Sequence, residues 1–398
     1  MLLTGARQTG KTTLLRRLLP DYAYISFDDP FVRSQFASFS AADFAARFPH
    51  AILDEVQKAP SAFDVVKAAH DSNPDCRYVL TGSSQILLGR QVSESLAGRI
   101  SLFELPALSL PECRTKSWGA PVEPSRWMRV LSGTEDVEGV LLGMPSLDPA
   151  FPEAAITWER FLDIGGMPAL WNDSPSLTEA ECRKWLKDYA ATYLQRDVRD
   201  LVKLRDLEPF VLAQKALAMQ SGGILTIANI ARDAGIAPST ASRFIQYMES
   251  SYQAIVLRPW FANPRKRLVK SPKLHIADPG ILRTIAGIGG TLPGNAYESA
   301  VVAELAKQVT LSGVDAELFY LKTTDGLEID FIASTSRGYI LVEVKQTSKV
   351  SPHDARHLVA VDDIFDRPIL CRLVVSQSPN PVKMGRDVYA VPAAWLLG

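Results

Sequence analysis

Met1-Leu2-Leu3-Thr4-Gly5-Ala6-Arg7-Gln8-Thr9-Gly10-Lys11-Thr12-Thr13-Leu14-Leu15 opens the chain. It carries the spacing G-x-x-x-x-G-K-[ST] and runs straight into an apolar helical pattern, which reads as a phosphate-binding loop. Gly5 and Gly10 let the backbone curl so that successive N–H groups, from Ala6, Arg7, Gln8 and Thr9 onward to Thr13, point inward at a β-phosphate. Lys11 adds a charge that reaches the β- and γ-phosphates, and Thr12 offers a hydroxyl to Mg²⁺. The helix beginning near Gly10 aims its positive end at the same anion. The plainer alternative is a glycine-rich turn before a helix. Only Met1 to Thr4 precede the loop, so the first strand is short; either the start codon is placed late or the protein tolerates a trimmed central strand.

The chain has 398 residues, too many for one core, which sets an expectation of two or three domains. Hydrophobic residues make up 47% and charged ones 22%, an ordinary globular composition. The net charge of −1 excludes a protein that is basic throughout, so nucleic-acid contact would need a local patch. Cys76, Cys113, Cys182 and Cys371 lie far apart, which fits neither a zinc site nor a disulfide framework. A reducing cytoplasm is the expected location. No apolar run approaches bilayer-spanning length, so no membrane partner is expected.

Downstream of the loop, Tyr22 to Phe27 reads as a strand that ends at a turn over Asp28-Asp29-Pro30, and a helix is expected around Ala41 to Phe48. Ala51-Ile52-Leu53-Asp54-Glu55 is an apolar run ending in two carboxylates. A buried parallel strand would deliver Asp54 at its C-terminal end to hold Mg²⁺, and Glu55 would activate the attacking water. Arg77 to Gln85 repeats the pattern of strand then polar residues, placing Thr81, Ser83 and Ser84 beside the carboxylates, where one of them would sense a γ-phosphate or cap a helix. Arg99, after a glycine turn, is a candidate for stabilising transition-state charge in its own or a neighbouring subunit; the alternative is a surface arginine.

Together GARQTGKTTLL, AILDEVQKAP, YVLTGSSQILL and ESLAGRI resemble a group of bacterial and archaeal AAA-type P-loop ATPases that carry a C-terminal domain of unknown function. The resemblance implies an additional strand between the two Walker strands, ATP and Mg²⁺ bound by Lys11 and Thr12, and hydrolysis served by Asp54 and Glu55. Phe161 to Pro168 (FLDIGGMP) and the charged run Tyr193 to Asp200 are similar to further signatures of that group.

From Pro106 to about Trp158 prolines and glycines accumulate, which reads as a linker with short helices. A long helical segment is expected over Leu177 to Val202. Ile224 to Tyr252 has a helix-turn-helix rhythm: Thr226 caps, Gly235 turns, and Pro238 starts a second helix. In a major groove, Ser239, Thr240, Ser242 and Arg243 would reach bases; as a packing lid, none of them would. The adjoining stretch Arg258 to Lys273 is basic without an acid and interleaved with Trp260 and Phe261, a patch suited to phosphates or to an acidic surface of the same chain.

Ala296 to Leu305 reads as an amphipathic helix, Leu318 to Leu321 as a strand, and Leu327–Ile332 with Tyr339–Lys345 as a hairpin. Alternation puts Glu328 and Asp330 on one side of the first hairpin strand and Glu343 with Lys345 on one side of the second. Asp330 and Glu343-x-Lys345 after a helix bearing Glu298 resemble the PD-(D/E)XK nuclease fold, which implies a second Mg²⁺ site at Glu298, Asp330, Glu343 and Lys345. Ile329 stands where that pattern often has proline. Exposed strands carry E-x-K for no catalytic reason too.

The expected class is α/β. A P-loop NTPase core (1–112; AAA-type, additional-strand class) precedes a linker and helical region (113–205), an α-helical winged-helix region (206–290) and a C-terminal α/β restriction-endonuclease-like domain (291–398). The expected function couples ATP binding and hydrolysis to DNA binding, with DNA cleavage as its extension and a homo-oligomer as one arrangement. The alternative is a nucleotide-operated switch or scaffold that recruits a protein partner, without nuclease activity.

Overall fold

A computed structural model describes residues 1–83, 100–115, 117–171, 177–194, 206–261, 271–323 and 326–398. The chain divides into two compact units. The first holds Met1–Ala107, Thr192–Arg205 and Gln246–Gln253; the second holds Leu108–Ala191, Asp206–Ile245 and Ala254–Gly398.

The first unit is built on a parallel sheet of β1 (Leu2–Thr4), β2 (Ala23–Ser26), β3 (His50–Asp54), β4 (Arg77–Gly82) and β5 (Leu102–Glu104), in the order β2-β3-β4-β1-β5. β4 lies between β1 and β3, the strands that lead into the glycine loop and the Asp54-Glu55 pair. The first strand is indeed three residues long, yet it is paired on both sides. Because adjacent strand residues face opposite ways, each apolar run supplies two cores. Leu3, Ile52 and Val79 pack with Leu15 of the helix Lys11–Leu18. Leu2, Leu53 and Leu80 pack with Phe27, Phe36, Phe44 and Phe63 on the other face.

The second unit contains an eight-stranded sheet. Its members are β6 (Ala254–Pro259), β7 (Lys273–Ile276), β8 (Ala316–Lys322), β9 (Glu328–Thr335), β10 (Gly338–Lys345), β11 (Ile369–Ser376), β12 (Val382–Gly385) and β13 (Val388–Pro392). The order is β12-β13-β11-β10-β9-β8-β6-β7. β8, β9 and β10 form an antiparallel meander, after which β11 runs parallel to β10 and β13 parallel to β11. Strands from both sides of position 290 share this sheet, so the expected division there runs through a hydrogen-bonded layer.

The helix Gly294–Ser312 differs from its expected amphipathic character. Thirteen of its residues are buried, among them Ala296, Val301, Leu305 and the polar Ser299, Glu304, Lys307 and Gln308. A helix covered all round has no water-facing stripe, so its polar side chains must be satisfied internally. Glu304 accepts from Leu110 N at 2.7 Å, Lys307 Nζ at 2.9 Å and Gln308 Nε2 at 2.7 Å.

The proline-rich region expected as a linker is packed. Trp127, in the helix Arg126–Ser132, is fully buried and donates from Nε1 to Leu305 O at 3.1 Å. The stretch FLDIGGMP ends the helix Phe151–Ile164 against the start of Pro279–Ala286. Asp278 caps that second helix at Ile281 N and also accepts from Gly166 N. Among the described residues, no helix is long and apolar enough to cross a membrane.

Candidate functional site

The glycine loop joins β1 to the helix Lys11–Leu18, whose preceding residue Gly10 has φ 93. That left-handed conformation favours glycine at this position. Gly5 answers to a different demand: a Cβ there would lie 2.2 Å from Leu105 O, because the end of β5 passes alongside. Within the loop Thr9 Oγ1 donates to Ala6 O at 3.0 Å, and the buried Lys11 ammonium donates to Gly5 O at 2.9 Å and Ala6 O at 2.7 Å. Arg7 is half-buried, while Gln8, at φ 65, and Thr13 are exposed.

β3 carries Asp54 to the loop. Thr12 Oγ1 donates to Asp54 Oδ2 at 3.0 Å, Tyr24 OH donates to the same oxygen at 2.5 Å, and the Thr81 hydroxyl donates to Oδ1. Asp54 is buried, as is Ser83 just beyond β4. Burial, and then the bond to Asp54, push the Tyr24 phenol up to about 12. Glu55, at φ 58 and ψ 44, follows the strand; its N–H reaches Thr81 Oγ1 at 3.4 Å. Gln57 Nε2 donates to Glu55 Oε2 and to Ser83 Oγ at 3.3 Å.

Lys11, Thr12, Asp54, Glu55 and Ser83 all lie in the first unit, at or just beyond the C-terminal ends of β1, β3 and β4, Lys11 and Thr12 opening the helix after the loop. Thr12 and Asp54 present two hard oxygen donors side by side, a set that suits Mg²⁺. Tyr24 and Gln57 were not singled out from the sequence. The alternation in β2 puts Tyr24 and Ser26 on one side, and Ser26 pairs with Asp54; knowing that β2 neighbours β3 would have exposed Tyr24. Arg99, Ser84 and the charged run from Gln195 to Asp200 lie outside the described residues.

In the second unit two of the candidate nuclease residues, Glu298 and Asp330, meet around a lysine. Lys273 Nζ lies 3.0 Å from Glu298 Oε1, 2.7 Å from Glu328 Oε1 and 3.1 Å from Asp330 Oδ1. Its side chain is only 2% exposed. Burial opposes its charge, yet the carboxylates, Asp330 foremost, outweigh burial and hold the ammonium well above the usual lysine range. Asp330 Oδ2 accepts from Val344 N at 3.0 Å, and Lys345 Nζ donates to Glu343 Oε1 at 2.6 Å. Burial, then Asp330, push Glu298 up to about 8 and Glu343 up to about 7.

These residues do not fit the second Mg²⁺ site. The charge that a divalent ion would supply at Glu298 and Asp330 comes from Lys273, and among the described residues no group of three or more metal-ligating side chains is arranged to hold a metal. The reading of Arg258 to Lys273 as a phosphate patch changes accordingly. Lys273 faces carboxylates, and Trp260 is buried against Phe365 and Tyr339, with ring centroids 4.5 and 5.8 Å away. Residues 262–270, with Arg265, Lys266 and Arg267, lie outside the described set.

The helices Ile227–Asp233 and Pro238–Ser250 are joined through Gly235. Ser239 and Arg243 are exposed on the second helix, and Thr240 and Ser242 are half-buried. Arg243 Nη2 donates to Thr240 Oγ1 at 3.3 Å, and Ser242 Oγ donates to Pro238 O at 3.1 Å.

The loop, the parallel sheet and the strand between its two functional strands define an AAA-type P-loop domain, and residues 1–114 match the model of an AAA domain. Two further models, each of a domain of unknown function, match residues 156–292 and 293–396. Uncharacterized proteins of Mycobacterium tuberculosis and Mycobacterium bovis are each 27% identical over 410 aligned positions, which cover 100% of this chain and 80% of theirs. Among solved structures, a Walker-type ATPase of Pyrococcus abyssi is similar at 16% identity and a TM-score of 0.39, over 72% of this chain and 91% of that one.

Proposed function

We propose that the chain binds ATP with Mg²⁺ at the N-terminal loop and hydrolyses it to ADP and phosphate. The observation that carries this reading is the convergence of Thr12 and Asp54 over 3.0 Å, beside the Lys11 loop and ahead of Glu55. Loop N–H groups and Lys11 would hold the β- and γ-phosphates, while Thr12 and Asp54 would hold Mg²⁺. When bound, that ion neutralises charge developing on the phosphates. Glu55 would accept a proton from the attacking water.

Nucleotide state, on this reading, is coupled to DNA binding through Ser239, Thr240, Ser242 and Arg243. Their place over the first turns of a helix that follows a short turn supports the assignment. DNA cleavage at Glu298, Asp330, Glu343 and Lys345 is not part of the reading, because Lys273 already pairs with Glu298 and Asp330.

The test is phosphate release from Mg-ATP, with and without duplex DNA, for the wild type, Lys11→Ala, Glu55→Gln and Arg243→Ala. The expected result is a rate abolished by the first two changes, stimulated severalfold by DNA, and no longer stimulated in Arg243→Ala. A slow rate indifferent to DNA would instead favour a nucleotide-operated scaffold for a protein partner.

A further inference from the structure

We propose that Gln57 aims Glu55 at the attacking water. This inference rests on the ATP-hydrolysing reading above. Gln57 lies in the single 3₁₀ turn Val56–Lys58 that follows β3. Its amide nitrogen donates to Glu55 Oε2 and, over 3.3 Å, to Ser83 Oγ. The clasp therefore ties the carboxylate beyond one strand to the polar tip of the neighbouring strand. Glu55 stands in left-handed backbone, a region a non-glycine residue occupies only when its surroundings fix it. Thr81 at its N–H and Gln57 at its carboxylate supply that fixing.

The other end of the amide is the second observation. Gln57 Oε1 is buried and has no hydrogen-bond partner among the described residues. A buried carbonyl oxygen without a donor is costly, so the amide stands where its nitrogen is needed, on Glu55. Water attacking a γ-phosphate has two O–H bonds to place. Glu55, held by Gln57, takes one, which turns the oxygen lone pair toward the phosphorus. As the water oxygen bonds to Pγ, the bond from Pγ to the bridging oxygen breaks and ADP leaves with that electron pair. One water proton passes to Glu55, and the second stays on the new phosphate. Gln57 is thus a positioning residue whose effect runs through Glu55.

The experiment compares Gln57→Ala, Gln57→Glu, Glu55→Gln and the double variant Glu55→Gln/Gln57→Ala. It measures kcat and KM for ATP, affinity for a fluorescent ADP analogue with Mg²⁺, and melting temperature. Both Gln57 variants are expected to lose about ten- to a hundredfold in kcat with KM and ADP affinity within about twofold, and the double variant to be no slower than Glu55→Gln. An undiminished kcat, losses that multiply in the double variant, or lost nucleotide affinity and melting temperature in both Gln57 variants would overturn the inference. A wild type that binds the ADP analogue yet releases no phosphate overturns the hydrolysis reading itself, an outcome read before any Gln57 variant is made.

Discussion

The Thr12 hydroxyl donates to Asp54 Oδ2 across 3.0 Å, and the Tyr24 phenol donates to the same oxygen. One carboxylate oxygen thus serves two hydroxyls in the place where a metal-bound water would also be held. Replacing Tyr24 by Phe removes one competitor. Since a hydrogen bond to a carboxylate is worth about 1 kcal/mol or somewhat more, the Mg²⁺ concentration at half-maximal ATP hydrolysis is expected to fall about fivefold. A Mg²⁺ titration of Tyr24→Phe checks it; an unchanged or raised midpoint would show that Tyr24 supports the site and does not compete for it.

Lys273 is the shared partner of three carboxyl groups while itself almost wholly buried. Removing one partner of such a cluster strands the others, so Lys273→Ala is expected to lower stability by about 3–5 kcal/mol. Lys345→Ala strands one buried carboxyl, Glu343, from a lysine that is itself 36% exposed, and should cost less, about 1–3 kcal/mol. Denaturant unfolding of both variants gives the comparison, and equal losses would refute the distinction.

Stability should also decline with rising pH. Glu298 is held near 8 in the folded chain against an ordinary 4.5, and Glu343 is shifted the same way. Between those values the folded chain keeps protons that the unfolded chain releases, so the contribution is fully present below 4.5 and is lost as pH climbs through 8. His275, pushed down to about 3 by burial and Lys273, slopes the other way, but only below its ordinary 6.5. From pH 7 to 9 the melting temperature is therefore expected to drop by a few degrees. Glu298→Gln should flatten that slope, and a drop of equal size in the variant would move the cause elsewhere.

Gly280 begins the helix that receives the end of Phe151–Ile164, and a Cβ on it would fall 2.3 Å from Ile164 O. Backbone cannot step aside as a flexible side chain can. Gly280→Ala is expected to cost about 1–3 kcal/mol in thermal or denaturant unfolding. Gly289→Ala, with no atom within 4 Å, serves as the control.

How far the sequence speaks depends on the span of the contact. The glycine loop and the strand ending in Asp54 are local patterns, and both stand where their spacing and hydrophobicity put them. Tyr24 and Gln57 act across neighbouring strands, so their roles need the strand order, which no spacing within the chain reveals. Lys273 is the sharper case. Read along the chain it closes a basic run; in the fold it faces Glu298, Glu328 and Asp330, 25 to 57 positions away. The helix Gly294–Ser312 misled for a related reason: its polar residues mimic a wet face, yet Glu304, Lys307 and Gln308 bond to one another and to backbone.

β7 is one of the two edge strands of the large sheet, and it brings Lys273. Glu328, Asp330 and Glu343 come from the central meander and Glu298 from the helix before it. Until that edge docks, the meander holds acids that resist leaving water. Closing the sheet and countering its charge are therefore coupled, because the strand at that edge carries the cation the acids lean on.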